Sequence, residues 1–403
     1  MQEYVKGKPI FTNINNTNKQ YEYLTKDIET DVLVVGGGVT GAICAYYLAK
    51  NDVGTVLIEK GRIAHLSTSV TTSLLQYELD DNLSELREAL VLTDAIKAYK
   101  LGLKALDEIE MFINEYGNEC DYIKRDTLLY TSKTSEKKAI YEEFKQRKEN
   151  GFDVKYLDEK ENPYPFDLKA GIISKNGGAE IDPYKFTHQL LEVSEKYGLS
   201  VYENTEAKSI NYMNDGVEVE TCYGYKIKAK KIIVATGYNT SLFTKRNFST
   251  KYNTFNIATK QLKTINGWKN NILIRDNCDP YNYLRTTVDN RIIIGGEDVD
   301  FKYINDEALS KEKYEILEQR LKAMFSNIDD IDIEYKYCGC FASTKDNLGF
   351  IGPDTNHKNL WYCLGYGANG ILFAILGGIM LNKLYNNEVD EDMRLFKVDR
   401  FDN

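Results

Sequence analysis

Three glycines, Gly36, Gly38 and Gly41, stand directly behind the apolar run Val32 to Val35 and constrain this chain more than any other feature. The spacing is G-x-G-x-x-G, with a strand signal before it and a helix signal after it. Gly36 lets the chain turn sharply out of the strand, and Gly38 bares its backbone to an approaching pyrophosphate. Gly41 lets the helix pack tightly on the sheet. Val39 and Thr40 complete the motif ahead of that helix, whose N-terminal N–H groups and dipole favour a phosphate. Asp31 to Val35 reads as a buried parallel strand, Gly41 to Lys50 as a helix and Thr55 to Glu59 as a second strand, together one βαβ unit. Glu59 ends that strand 18 residues after Gly41, with Lys60 next to it. A carboxylate there accepts bonds from ribose hydroxyls and repels a 2′-phosphate, which argues against NADP. The motif alone does not choose between FAD and NAD.

At 403 residues the chain exceeds what one core usually supports, so two domains are expected. Net charge is −10 and no run of Lys or Arg stands out, which argues against a nucleic-acid partner. The seven cysteines, Cys44, Cys120, Cys222, Cys278, Cys338, Cys340 and Cys363, include no C-x-x-C pair. Neither a disulfide framework nor a metal site is expected. The first twenty residues lack the apolar core of a signal peptide, and the longest apolar stretch, Ile371 to Leu381, is eleven residues long. A bilayer span needs about 20, so no membrane span and a cytoplasmic location are expected.

Further along, Leu92, Ile96, Tyr99, Leu103, Leu106, Ile109 and Ile113 form one stripe of a long helix. A mixed-charge helix follows over Ser135 to Arg147. Phe186, Leu190, Val193 and Tyr197 share a face of another, with Gly198 at its C′ position. His188 lies off that stripe and is expected to face solvent. Val217 and Val219 alternate with acidic residues before Ile227 and Ala229, the pattern of a β-hairpin. Ile232 to Ala235 reads as a buried strand. Asp289-Asn290 is read as the turn between strands Tyr281–Thr287 and Arg291–Ile294. A strand near Trp361 to Leu364, a glycine-rich turn and an apolar helix from Ile371 close the chain.

Taken in order, these signals resemble one family, the D-amino-acid oxidase and glycine oxidase superfamily of flavoproteins. The resemblance rests on Asp31 to Gly38, the Ser/Thr loop Ser67 to Ser73, Ile181-Asp182-Pro183, Ile232 to Gly237, Thr344 to Gly352 and Gly365 to Gly370. It implies an α/β fold, with a Rossmann-type FAD-binding domain interleaved with an α+β substrate domain that carries an antiparallel-rich sheet. The first would comprise roughly 1–90, 180–250 and 335–403, the second 91–179 and 251–334. The cofactor implied is FAD. Gly36, Gly38, Gly41 and Glu59 would hold its ADP half, with Ser67, Thr71, Thr72 and Ser73 along the pyrophosphate and flavin. Ala207 would meet the adenine. Gly237 ends a matching strand, and Gly367, Asn369, Gly370 and Ile371 bring a helix N-terminus to the flavin's N1/O2 edge. No second G-x-G-x-x-G is present, so electrons are expected from an organic small-molecule substrate.

The resemblance also implies an arginine that clamps a substrate carboxylate, and here Phe341 stands at its position. Tyr281, Tyr283 and Arg285 alternate on one strand face. Tyr283 matches a substrate-contacting tyrosine, and Arg285 is the candidate replacement for the clamp. Cys338 and Cys340 lie near a segment where relatives link flavin through a cysteine, but neither aligns with that position, so non-covalent FAD is expected. His65 and His357 read as loop residues. The function implied is oxidation of an amine or amino-acid C–N bond by hydride transfer to flavin N5. A dehydrogenase of a hydroxyl or glycerol-phosphate-type substrate and a non-catalytic dinucleotide-binding scaffold are the alternatives. Whether oxygen, a quinone or a protein accepts the electrons is not set by these residues.

Overall fold

The computed structural model describes residues 4–15, 19–86, 89–277 and 281–402; Cys278 lies outside them. Ile28–Val35, the strand before the glycines, is buried over its last four residues. It starts three residues ahead of the Asp31 read as its first residue because Ile28, Glu29 and Thr30 pair with Ile227, Lys228 and Ala229. Pairing, not apolarity, sets that boundary. The strand centres an eight-stranded sheet in which Leu360–Leu364, Lys226–Val234, Ile28–Val35, Thr55–Ile58 and Ser200–Tyr202 run parallel. Val32, Val34 and Leu57 face helices Val39–Lys50 and Gly370–Tyr385. Leu33, Val35, Val56 and Ile58 pack on the opposite side with Val217, Val219 and Ile227. Both faces are covered, which is why these strands read as unbroken apolar runs. The predicted hairpin forms, with Val217 opposite Ala229 and Val219 opposite Ile227.

The second sheet has ten strands and is antiparallel except where Leu273–Asp276 runs parallel to Ile123–Thr131. Its order runs Val5–Gly7, Ile333–Ser343, Thr250–Thr259, Ile292–Asp300, Asn282–Thr286, Leu273–Asp276, Ile123–Thr131, Ala170–Glu180, Leu74–Gln76, with Val154–Asp158 paired to Ala170–Glu180. Three of these strands, Val5–Gly7, Leu74–Gln76 and Ile333–Ser343, fall wholly or mostly in segments that the sequence division gives to the nucleotide domain. They join this sheet because their pairing partners lie there: Val5 opposite Gly339, and Leu74 opposite Glu180. Long-range pairing of this kind leaves no local mark in composition. The turn at Asp289-Asn290 forms as read, with Asn290 at φ 59° and Thr286 opposite Ile292.

Helix Pro183–Glu195 starts on Asp182, whose carboxylate accepts from the N–H groups of Tyr184 (2.9 Å) and Lys185 (3.0 Å). Phe186, Leu190 and Val193 are buried as predicted, and Gly198 takes φ 90°. Tyr197, just past the helix end, is exposed instead. His188 is a second correction, because it is only 6% exposed. The helix is enclosed on more than its apolar stripe, so Thr187, His188 and Gln189 are buried with it. Both ring nitrogens of His188 lack a partner among the described residues, and its ring lies 4.6 Å from that of Tyr184. Burial therefore pushes its pKa down to about 4. A depressed pKa stabilises the fold above the ordinary value near 6.5, and that stability is lost as pH falls toward 4. An NMR titration is expected to give His188 a midpoint near 4; a midpoint near 6.5 would contradict the enclosure.

Candidate active site

A cavity of about 420 Å³ runs from the glycine turn to the second sheet. At its first end Gly36 has φ 117°, and a Cβ there would sit 2.3 Å from the Ala235 carbonyl oxygen. A Cβ on Gly41 would lie 1.8 Å from the Gly36 carbonyl oxygen. Only glycine fits either position. Gly36, Gly38, Val39 and Thr40 line the cavity, whereas Gly41 lies beneath the turn. Gly38 brings no side-chain cap to the helix, and the Val39 N–H donates to Thr68 Oγ1 at 3.0 Å. Sequence reasoning passed over Thr68 as one of several similar residues in the Ser/Thr loop.

Glu59 ends its strand at the cavity wall and is 8% exposed. Its Oε2 accepts from the Gly37 N–H at 2.7 Å and its Oε1 from the Gly61 N–H at 2.9 Å. Burial nevertheless raises its pKa, against the lowering effect of those two bonds. A carboxylate has lone pairs beyond these two contacts. Lys60, Arg62 and Ala207 line the same end.

In the middle of the cavity, Ser67, Thr71, Thr72 and Ser73 form one wall. Ser73 is held at φ 54°. Its N–H donates to Thr71 Oγ1 (3.0 Å), and its carbonyl accepts from Arg285 Nη1 (2.8 Å). With the backbone fixed on both sides, the buried Ser73 hydroxyl is left without a partner among the described residues, as is that of Thr236 on the wall beside Gly237. Opposite, Gly367 (φ 74°), Gly370 and Ile371 bring in the N-terminus of helix Gly370–Tyr385. Asn369 is not on the wall; it is buried with Nδ2 donating to the Gln76 carbonyl at 2.9 Å.

At the far end Tyr281, Tyr283 and Phe341 line the cavity. The two tyrosine rings lie 5.9 Å apart, and Tyr283 Oη is 2.9 Å from Thr254 Oγ1. Arg285 is the exception. It is 3% exposed, with Nη1 donating to the Ser73 and Ile181 carbonyls (both 2.8 Å) and Nε to the Thr286 carbonyl. The strand face was read correctly, but each two-residue step along a strand is about 7 Å, and the cavity ends before the second step. The cation on the wall is Arg275, which sits opposite Tyr283 in the neighbouring strand. Asp80 and Gln76 join it there. Only the strand register, which the sequence does not announce, brings Arg275 beside Tyr283.

A cradle of bare backbone, a downstream carboxylate, unpartnered hydroxyls and a helix N-terminus along one cavity fit a bound dinucleotide. Residues 31–384 match the family described as FAD dependent oxidoreductase (DAO). The chain belongs to that family. It is an FAD-dependent oxidoreductase, with FAD as its cofactor. Over 386 residues it is 28% identical to the putative Rieske 2Fe-2S iron-sulfur protein YhfW of Bacillus subtilis, covering 94% of this chain and 73% of that one. It is 24% identical over 390 residues to the gamma-glutamylputrescine oxidoreductase of Escherichia coli, covering 93% and 88%. The crystal structure of glycine oxidase from Geobacillus kaustophilus shares the fold at a TM-score of 0.76, with 18% identity, covering 92% of this chain and 99% of that one. No helix among the described residues is long and apolar enough to cross a membrane.

Replacing Gly41 with Ala drives a methyl into the Gly36 carbonyl and displaces the turn. FAD binding, followed by flavin fluorescence, is expected to weaken at least about tenfold, roughly 1.4 kcal/mol. Undiminished FAD content in G41A would show that the glycine turn does not govern the site.

Proposed function

We propose that this flavoenzyme oxidises the C–N bond of an amine or amino acid. One observation carries the reading: a single cavity joins the glycine cradle to a chamber walled by Tyr281 and Tyr283. In it, Gly36, Gly38, Val39 and Thr40 hold the pyrophosphate, Glu59 accepts from the ribose and Ala207 meets the adenine. Thr71, Thr72, Ser73 and Gly237 would flank the flavin, and Gly370 and Ile371 would bring the helix N-terminus to it. The eight-stranded sheet serves the nucleotide and the ten-stranded sheet the substrate. FAD, when bound, would supply a two-electron acceptor, taking a hydride from the substrate carbon at flavin N5 while the substrate nitrogen gives up a proton, so that the amine becomes an imine.

The chain's own part is to bind, orient and exclude water. The tyrosine pair and Phe341 supply aromatic walls that shape the chamber, and Tyr283 is fixed by Thr254. FAD is held without a covalent bond: Cys340 lines the cavity, but burial pushes its thiol up to about 12, so the nucleophilic thiolate is scarce at neutral pH. The similarity to a gamma-glutamylputrescine oxidoreductase and to a glycine oxidase structure supports a nitrogen-bearing substrate. Purified protein is expected to be yellow and to release its flavin on denaturation. Its absorbance near the flavin maximum should bleach when an amine or amino acid is added without oxygen. Bound FAD that no amine or amino acid reduces, yet that a hydroxylated substrate does reduce, would sink the C–N assignment.

A further inference from the structure

The substrate end of the cavity is acidic where a carboxylate clamp was anticipated. Asp80 lines it, with Oδ2 accepting the Ala368 N–H at 3.1 Å and Oδ1 taking no hydrogen bond from the described residues. Arg275 is beside it, but its two terminal nitrogens point at main chain: Nη1 donates to the Leu79 carbonyl (2.5 Å) and Nη2 to the Asp80 carbonyl. The guanidinium thus straps the backbone that carries Asp80, each terminal nitrogen giving one N–H to that main chain. Gln76, four residues earlier, is 6% exposed and lines the same cavity, and its side-chain amide has no partner among the described residues. Behind the wall, Tyr281 Oη donates to Asp298 Oδ2 at 3.4 Å, and the buried Asp298 Oδ1 has no partner among the described residues.

We infer that this chamber selects an alkyl amine or diamine with no carboxylate beside the nitrogen, and that Asp80 is the residue that recognises its positive charge. The inference rests on the C–N reading above and narrows it. Two carboxyl groups, Asp80 and Asp298, stand at that end against one strapped guanidinium. The faces of Tyr281 and Tyr283 add the ring surfaces that attract ammonium groups. Phe341 supplies no cation where the family resemblance implies an arginine. Burial raises the pKa of Asp80 despite the nearby Arg275, so its charge is under-stabilised by the protein alone, and a cationic ligand would stabilise it. Burial likewise pushes Asp298 up to about 6, leaving it mostly ionised at neutral pH. Gln76 is placed to hydrogen-bond a neutral part of the same ligand. The other cavity-lining cations, Lys60 and Arg62, sit with Glu59 at the nucleotide end.

The test is anaerobic stopped-flow reduction of the FAD-loaded protein with pairs that differ only in the carboxylate: 1,4-diaminobutane against ornithine, and phenethylamine against phenylalanine, both enantiomers of each amino acid. At least one decarboxylated partner is expected to bleach the flavin with an apparent second-order rate constant at least about tenfold above its amino acid. Asp80→Asn should raise the apparent Kd for that amine at least about tenfold while FAD content and the oxidised spectrum stay unchanged. Phe341→Arg should shift preference toward the amino acid of the pair. Faster reduction by the amino acids, or an unchanged Kd in a FAD-replete D80N protein, would overturn the inference and leave C–N oxidation standing. If no member of either pair, nor any other amine or amino acid, reduces bound FAD, both readings fall together. The wild-type comparison decides even if a variant does not fold.

Discussion

Everything in the nucleotide half depends on how closely two backbone segments approach at the first strand's end. The carbonyl of Gly36 lies against Gly41 with no room for a Cβ, and Gly36 itself presses on the Ala235 carbonyl. These contacts fix the direction in which helix Val39–Lys50 leaves the sheet, and so where its first N–H groups point. They also hold the Ile28–Val35 and Lys226–Val234 strand ends side by side, which brings Thr236 and Gly237 to the same wall. A larger side chain at either glycine would displace the turn, the strand end and the helix together.

The segment from Thr71 to Asp80 links this half to the other, and buried and half-buried arginines hold it from several directions. Arg285 takes the Ser73 carbonyl, and Arg275 takes the carbonyls of Leu79 and Asp80. Between them Glu78 anchors on the fully buried Arg147 at 3.0 Å, and on Thr127 (2.7 Å) and Ser174 (2.8 Å). A buried ion pair contributes little net stability against a well-packed apolar replacement, but breaking one partner is costly. Its value here is positional. It holds Gln76 and Asp80 against the cavity while the same strand pairs with Ala170–Glu180.

What could be read in the sequence was local. The glycine spacing and the Asp289-Asn290 turn each depend on residues within a few positions, and each took the conformation its chemistry favours; Glu59 follows within the same βαβ unit. What could not be read was long-range. Arg275 became a wall residue through strand register with Tyr283, and Arg285 left the wall because Ser73, 212 residues away, claims its guanidinium. His188 failed for a related reason: an apolar stripe predicts one buried face, whereas the surrounding chain buried two. Asp80 carried no motif, and its position follows from the anchoring of its neighbours.

The strands of the two sheets alternate along the chain. Val5–Gly7 belongs to the larger sheet, Ile28–Val35 and Thr55–Ile58 to the smaller, Leu74–Gln76 to Ala170–Glu180 to the larger again, and the exchange recurs on either side of Thr250–Ser343. No continuous stretch encodes either half. A fragment cut at any of these junctions would leave at least one sheet missing strands, and no single cut separates the two sheets, so neither half is a portable unit, and the two must complete their folding as one cooperative event.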